Sequence, residues 1–330
     1  ADQKAYRLVV VDYLYKIGYI VVPLLTLWVT RNYLFYLVTQ IIVTFLWNLI
    51  VYIKVQKEYP ILQSRKKYKI SNKIKGEITK NTAALMIYKI AIVITSGTDN
   101  LLITKFFGLT EVGLCSNYTL IIQNMTALVS QGISSITASI GNLNAKESNE
   151  KKYQVFNVLF LINFWIYAFA TIGMFFCIGP LIQICFGEKY VLDNSILIPM
   201  IFSFFLLGMQ GTTSVFRDAQ GLFWQGKLRP IAQAVINLGS SIILTKITGE
   251  VGMIFWGTAI SRLTMNFWYD PYIVFKHGLK KPLFPYFKRY GIYVAATIPP
   301  IIICYLFIGM ISIESALINF LLRGIITTIV

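Results

Sequence analysis

Apolar residues fall along this chain in long blocks. Runs of roughly 20 of them recur at about 8–30, 33–54, 82–107, 111–142, 153–180, 194–216, 230–248, 251–275, 290–310 and from 316 onward. At 1.5 Å per residue such a run crosses the ~30 Å hydrocarbon core of a bilayer as a helix. The pattern therefore predicts ten spanning helices, the last incomplete, and an all-α polytopic membrane protein. The short alternating segments of a membrane β-barrel are not found. The 111–142 run is longer than a crossing needs, so one of its ends is expected to project.

Polar positions inside these runs form stripes, and a polar face in lipid must meet protein or water. In 82–107, Lys89, Ser96 and Asn100 lie within roughly 20° of one line at 100° per residue. Asp99 is about 80° from Lys89 on the same half of the helix. It belongs to "TSGTDN", a polar stretch within one crossing, where Gly97 is expected to allow a close neighbour or a bend. In 111–142, Asn117, Asn124 and Gln131 repeat every seven residues, beside Ser116, Gln123 and Ser130. In 251–275, Thr258, Arg262, Asn266 and Asp270 follow at four-residue steps. Further polar positions are Ser203, Gln210 and Ser214 in 194–216, and Gln233, Asn237 and Ser240 in 230–248. The 153–180 run has many aromatics and little polar alignment, so it reads as lipid-facing. Two readings of the stripes stand open: a hydrated cavity, or hydrogen-bonded glue in a solid bundle. Arg262, near mid-membrane, has an ion pair with Asp99 or Asp270 as its structural explanation. Asp12 and Lys16 read as a local i, i+4 pair.

Charge fixes the orientation. Of the 30 Lys and Arg residues, 22 fall in one alternate set of connections and 4 in the other. The basic side is cytoplasmic by the positive-inside rule, which places the chain in the cell membrane. The net charge of +16 is thus topological, and no nucleic-acid partner is expected. The chain is 56% hydrophobic and 13% charged, with mean hydropathy +0.64. The segment 56–80 carries the densest cations and is expected to be a cytoplasmic loop, lying on anionic headgroups or only enforcing topology. The turns "GLTEVG" and "ITGEVG" each end one helix at Gly and start another, with Thr110 available as a cap and Glu111 near the positive helix end.

Enzyme chemistry finds no foothold. Cys115, Cys177, Cys185 and Cys304 are scattered, without CxxC spacing, and read as small apolar residues. The single His277 is in a basic loop. No Ser/His/Asp set, metal cluster or phosphate-binding glycine loop occurs, so neither catalysis nor a cofactor is expected.

Several segments resemble bacterial polysaccharide repeat-unit flippases of the multidrug/oligosaccharidyl-lipid/polysaccharide exporter superfamily. They are the "ADQK" start, the "TRNYLFYLVTQII" hairpin, the "KVQKEYPIL" exit and, most strongly, "SGTDNLLITKFFGLTEVGLCSNYTLI". The resemblance implies twelve or fourteen helices in two lobes, of which this chain is a fragment. Residues 1–55 would be the last two helices of the first lobe, and 56–80 the basic inter-lobe loop. Residues 81–275 would form the six-helix second lobe, and 276–330 two additional helices, the last truncated. It also implies translocation of undecaprenyl-pyrophosphate-linked oligosaccharide between leaflets by alternating access, for surface polysaccharide synthesis. Membrane lipids, protons or sodium ions, a polysaccharide polymerase and glycosyltransferases are the implied partners. Lys89 and Arg262 are then candidate anion contacts, and Asn100, Asn117, Asn124 and Gln131 candidate sugar contacts. Asp99 is a coupling carboxylate or the partner of Arg262. The alternatives are a multidrug exporter, which would favour an acidic cavity, and a membrane polysaccharide polymerase, which would carry a large arginine-bearing outer loop.

Overall fold

In lipid an apolar run has no hydrogen-bond partner for its backbone except itself, and the helix is the result. The computed structural model describes residues 9–58, 71–310 and 315–330, with side chains from Tyr15 onward except Glu58, Lys73 and Ser96. Every element among the described residues is helical. The side chain of Asp12, and the cations of 1–8 and 59–70, lie outside them.

The chain divides at Ser71/Asn72 into two compact units. In the first, α1 (Val9–Thr30) and α2 (Tyr33–Glu58) form an antiparallel hairpin. Its turn places Arg31 at φ +49°, and Asn32 Oδ1 accepts the Leu34 N–H at 2.9 Å. Tyr15 stacks on Trp47 at 4.9 Å between ring centroids.

The second unit begins with α3 (Asn72–Phe107) and α4 (Leu109–Ser134), followed by the short α5 (Thr137–Lys146). Then come α6 (Asn149–Phe186), α7 (Asn194–Met209), α8 (Gly211–Ala219) and α9 (Leu228–Thr248). Next, α10 (Gly252–Ser261) and α11 (Phe267–Ile273) are joined by a π turn at Arg262–Asn266 and followed by another at Val274–Leu279. The unit closes with α12 (Phe284–Gly309) and α13 (Ala316–Ile329). Six helices among the described residues are long and apolar enough to cross a membrane: Tyr33–Lys57, Ile74–Phe107, Asn149–Phe186, Asn194–Ala219, Leu228–Thr248 and Phe284–Gly309. Tyr15–Thr30 and Ala316–Ile329 are apolar but shorter. The chain is thus an α-helical protein of multi-pass membrane character.

Several expectations change here. The 111–142 run is not one helix but breaks after Ser134 into α4 and α5. Thr110 is no cap: the helix already starts at Leu109, and Gly108 at φ +93° makes the turn. At the second turn Gly249, at φ +73°, does end α9, and its N–H reaches the Thr245 carbonyl. The basic segment gives way to α3 at Asn72, so residue 81 lies inside a helix. Beyond residue 275, α12 and α13 join the second unit by packing against α6. A Cβ built at Gly97 would meet nothing within 4 Å, so no neighbour approaches there.

The largest correction concerns α6. It was expected to face lipid, and one face, with Val158, Trp165 and Phe169, is exposed, but Phe156, Phe160, Asn163 and Ile182 of the same helix are buried. It packs against α4, α7, α8, α12 and α13. Its aromatics meet those of α12: Phe164 stacks on Tyr293 at 4.5 Å and Phe160 on Tyr286 at 5.0 Å. Aromatic surface is as compatible with a membrane protein's interior as with lipid. A missing polar stripe therefore does not choose between them.

The helices α9 and α10 meet through small residues. A Cβ at Gly257 would lie 2.1 Å from Ser241 Oγ and 2.6 Å from its backbone nitrogen. Ser240 and Ser241 donate to the carbonyls of Gly257 and Ile254 at 3.2 and 3.0 Å. Gly252 similarly sits where a Cβ would be 2.3 Å from the Ser195 carbonyl oxygen. Pro199 in α7 leaves that carbonyl without its usual i+4 donor.

Candidate functional site

Helices α10 and α11 carry the polar stripe that the four-residue spacing predicts. In a regular α-helix each four-residue step overshoots a turn by about 40°, so the stripe would drift round the helix. The π turn at Arg262–Asn266, closed by the Phe267 N–H on the Arg262 carbonyl, takes more residues per turn. It offsets part of the drift and keeps four side chains facing the rest of the unit.

Each of the four finds a partner on another helix. Thr258 donates to Asp99 Oδ2 of α3 at 3.1 Å and accepts from Asn237 Nδ2 of α9 at 2.8 Å. Arg262 Nη1 donates to the Ser203 carbonyl of α7. Asn266 Nδ2 donates to Gln210 Oε1 at 2.9 Å, both residues being buried. Asp270, fully buried, accepts from Arg217 Nη1 at 2.8 Å and pairs with Arg229 Nε at 3.3 Å.

The Asp270 tier is a knot of charge centred on buried Asp270 and Arg217. Arg217 also holds Asp218 at 2.9 Å. Both guanidiniums lie against the Tyr88 ring, 5.1 and 5.2 Å from its centroid. The Tyr88 hydroxyl donates to the Gly226 carbonyl at 2.9 Å, and a Cβ at Gly226 would fall 2.2 Å from that oxygen. Two guanidiniums and two carboxylates thus neutralise one another where α3, α8, α9 and α11 meet. Of the two partners expected for Arg262, Asp99 or Asp270, this removes Asp270, which is taken by Arg217 and Arg229. Those arginines had been counted only as topological charges. Their signal in the sequence was a buried-looking aspartate at the basic end of its span, within reach of cationic connections.

The candidate residues separate into two groups. Asp99 and Arg262 lie in the internal stripe. They interact electrostatically, but among the described residues no ion-pair contact joins them. Asp99 Oδ1, Asn237 Oδ1 and Arg262 Nε are buried without a hydrogen-bond partner. The other group stands on α3 and α4, which pack together. Lys89, Asn100, Asn124 and Gln131 are exposed and Asn117 is half-buried. Asn124 Nδ2 returns to its own helix, at the Leu120 carbonyl, 2.9 Å away. Their side chains lie at the surface of the second unit. Compared with protein-family models, with curated proteins and with solved structures, the chain matches none.

Proposed function

We propose that this chain works in a flippase that carries undecaprenyl-pyrophosphate-linked oligosaccharide repeat units across the cytoplasmic membrane. The observation that carries this reading is the exposed polar set on α3 and α4, Lys89, Asn100, Asn124 and Gln131 with half-buried Asn117. Hydrocarbon gives such groups no partner, so a polar surface of this kind belongs against water or a polar solute. Amides suit sugar hydroxyls, and an ammonium suits a pyrophosphate. The polyprenyl tail needs no pocket, because it can remain in lipid.

On this reading the chain contributes ten crossings to a two-lobe transporter with its basic connections in the cytoplasm. Lys89 is a stronger anion contact than Arg262, whose Nη1 is committed to the Ser203 carbonyl. Asp99, whose Oδ1 is buried without a hydrogen-bond partner, is where a coupling proton or sodium ion would be taken. The polymerase and glycosyltransferases of the same synthesis would supply and consume the cargo.

The reading is tested in cells depleted of the full-length protein. Lipid-linked repeat units should accumulate shielded from a membrane-impermeant glycosidase, with glycosyltransferase activity normal. Unchanged surface polysaccharide in those cells contradicts it.

A further inference from the structure

A second polar feature lies at the opposite end of the second unit from the Asp270 knot, and transport by α3 and α4 does not use it. Helix α6 contains Pro180, which has no N–H, so the Phe176 carbonyl one turn earlier loses its i+4 donor. Arg323 of α13 supplies one: its Nη1 donates to that oxygen at 3.2 Å, while its Nε donates to Asn319 Oδ1 at 2.6 Å. A guanidinium has five N–H donors, so most of its fork is still open. Arg323 lies about 11 Å into its helix at 1.5 Å per residue.

None of the described carboxylates balances its charge, and Glu314 lies outside the described residues. Among the described residues no carboxylate pairs with Arg323; the ion pairs there are Arg217–Asp218, Arg217–Asp270, Arg229–Asp270 and Lys281–Glu150. Asp193, the acid closest in sequence to the α7 start, accepts the Ser195 N–H at 2.8 Å. Glu188 is exposed. A cation held at depth in an apolar helix pair, without a counter-charge among the described residues, suits an external anion.

The space for one is present. Arg323 and Asn319 line a cleft of 210 Å³ together with Gln183, Asn194 and the apolar side chains of Phe175 and Leu197. That is about seven water volumes at 30 Å³ each, far more than a halide fills. A guanidinium fork with three amides around it suits a tetrahedral oxyanion, and the apolar wall suits the glycerol beyond it. The cleft opens where α6 ends and α7 begins, on the side of the sparse-cation connections.

We infer that this cleft binds the phosphodiester headgroup of an anionic phospholipid, with Arg323 as the charge partner and Gln183 and Asn194 as amide contacts. The bound lipid neutralises Arg323 and ties α13 to the α6–α7 corner. This assignment does not depend on what the protein transports.

The test is thermal unfolding of the purified full-length protein with added phosphatidylglycerol, phosphatidylcholine or inorganic phosphate. Phosphatidylglycerol should raise Tm by several degrees, and the other two should not. Arg323→Gln should abolish the shift, and Arg323→Lys should retain part of it. Because Arg323→Gln also uncaps Phe176, the deciding variant is Gln183→Leu with Asn194→Leu. It leaves the cap in place and should weaken the phosphatidylglycerol response while keeping the lipid-free Tm. An undiminished shift in both Arg323→Gln and the double variant overturns the proposal. So does an equal shift with phosphatidylcholine, and a full shift with inorganic phosphate alone overturns the lipid as the source.

Discussion

Two polar stripes run through the second unit, and they end differently. On α10 and α11, Thr258, Arg262, Asn266 and Asp270 each reach another helix. On α4, Asn124 and Gln131 stand exposed, and Asn124 bonds back to its own helix. Both stripes are regular in sequence, one at four-residue and one at seven-residue steps. Only the first is consumed by packing. A polar stripe in a membrane helix therefore has two possible fates, and the choice depends on whether complementary groups wait on the neighbours. For α10 and α11 they do: Asn237, Gln210, Arg217 and Arg229 lie at matching depths. The first stripe holds the unit together, and the second stays at the unit's surface.

Substitutions should separate the two. The largest effect is expected at Asp270. Asp270→Ala leaves buried Arg217 with only Asp218 and half-buried Arg229 without its carboxylate, a loss of about 3–5 kcal/mol. It should appear as a collapse in the yield of monodisperse protein. A stable, well-expressed Asp270→Ala protein would mean that the knot is not structural.

Gly257→Ala comes next. Its Cβ would collide with Ser241, including the backbone nitrogen at 2.6 Å, so α9 and α10 must part. Overpacking of this kind costs about 1–3 kcal/mol, read as a lowered Tm. Asn266→Ala is milder. It strands Gln210 Oε1, and polar interhelical contacts in membranes average about 0.6 kcal/mol, with a maximum near 1.7. Thermal unfolding should resolve it as a small decrease.

On the other stripe the pattern should reverse. Asn124→Ala and Gln131→Ala should change stability by no more than about 0.5 kcal/mol. Each should slow translocation of lipid-linked oligosaccharide in proteoliposomes by about 2- to 10-fold, the equivalent of one hydrogen bond of 0.5–1.5 kcal/mol. Wild-type rates in both would remove α4 from the transport route.

Much of this was legible beforehand. Apolar runs give helices because lipid allows the backbone no other partner; of the ten runs expected to cross, six correspond to described helices long and apolar enough to do so. The Thr258–Asp270 stripe was visible as a period. Its partners were not, because a period shows which face is polar and is silent about what stands opposite. That is why Asp270 stood, with Asp99, as a possible partner of Arg262, while its contacts with Arg217 and Arg229 were not foreseen. The burial of α6 was invisible for a related reason: Phe160 packed on Tyr286 and an aromatic in lipid look alike in composition. The break after Ser134 carries no proline, and the glycine three residues before the break, Gly132, is an ordinary helical residue with open space around it.

Water accessibility tests the difference between the stripes most directly. In a background with the four native cysteines replaced, single cysteines at Asn100, Asn124, Gln131 and Asn266 would be exposed to a membrane-impermeant maleimide. Trp165 of α6, exposed and apolar, would serve as the lipid-facing control. Labelling is predicted at Asn100→Cys, Asn124→Cys and Gln131→Cys, with Asn266→Cys and Trp165→Cys unreactive. If Asn124→Cys and Gln131→Cys are as inert as Trp165→Cys, the exposed stripe does not meet water, and the division between a packed and a solute-facing stripe is wrong.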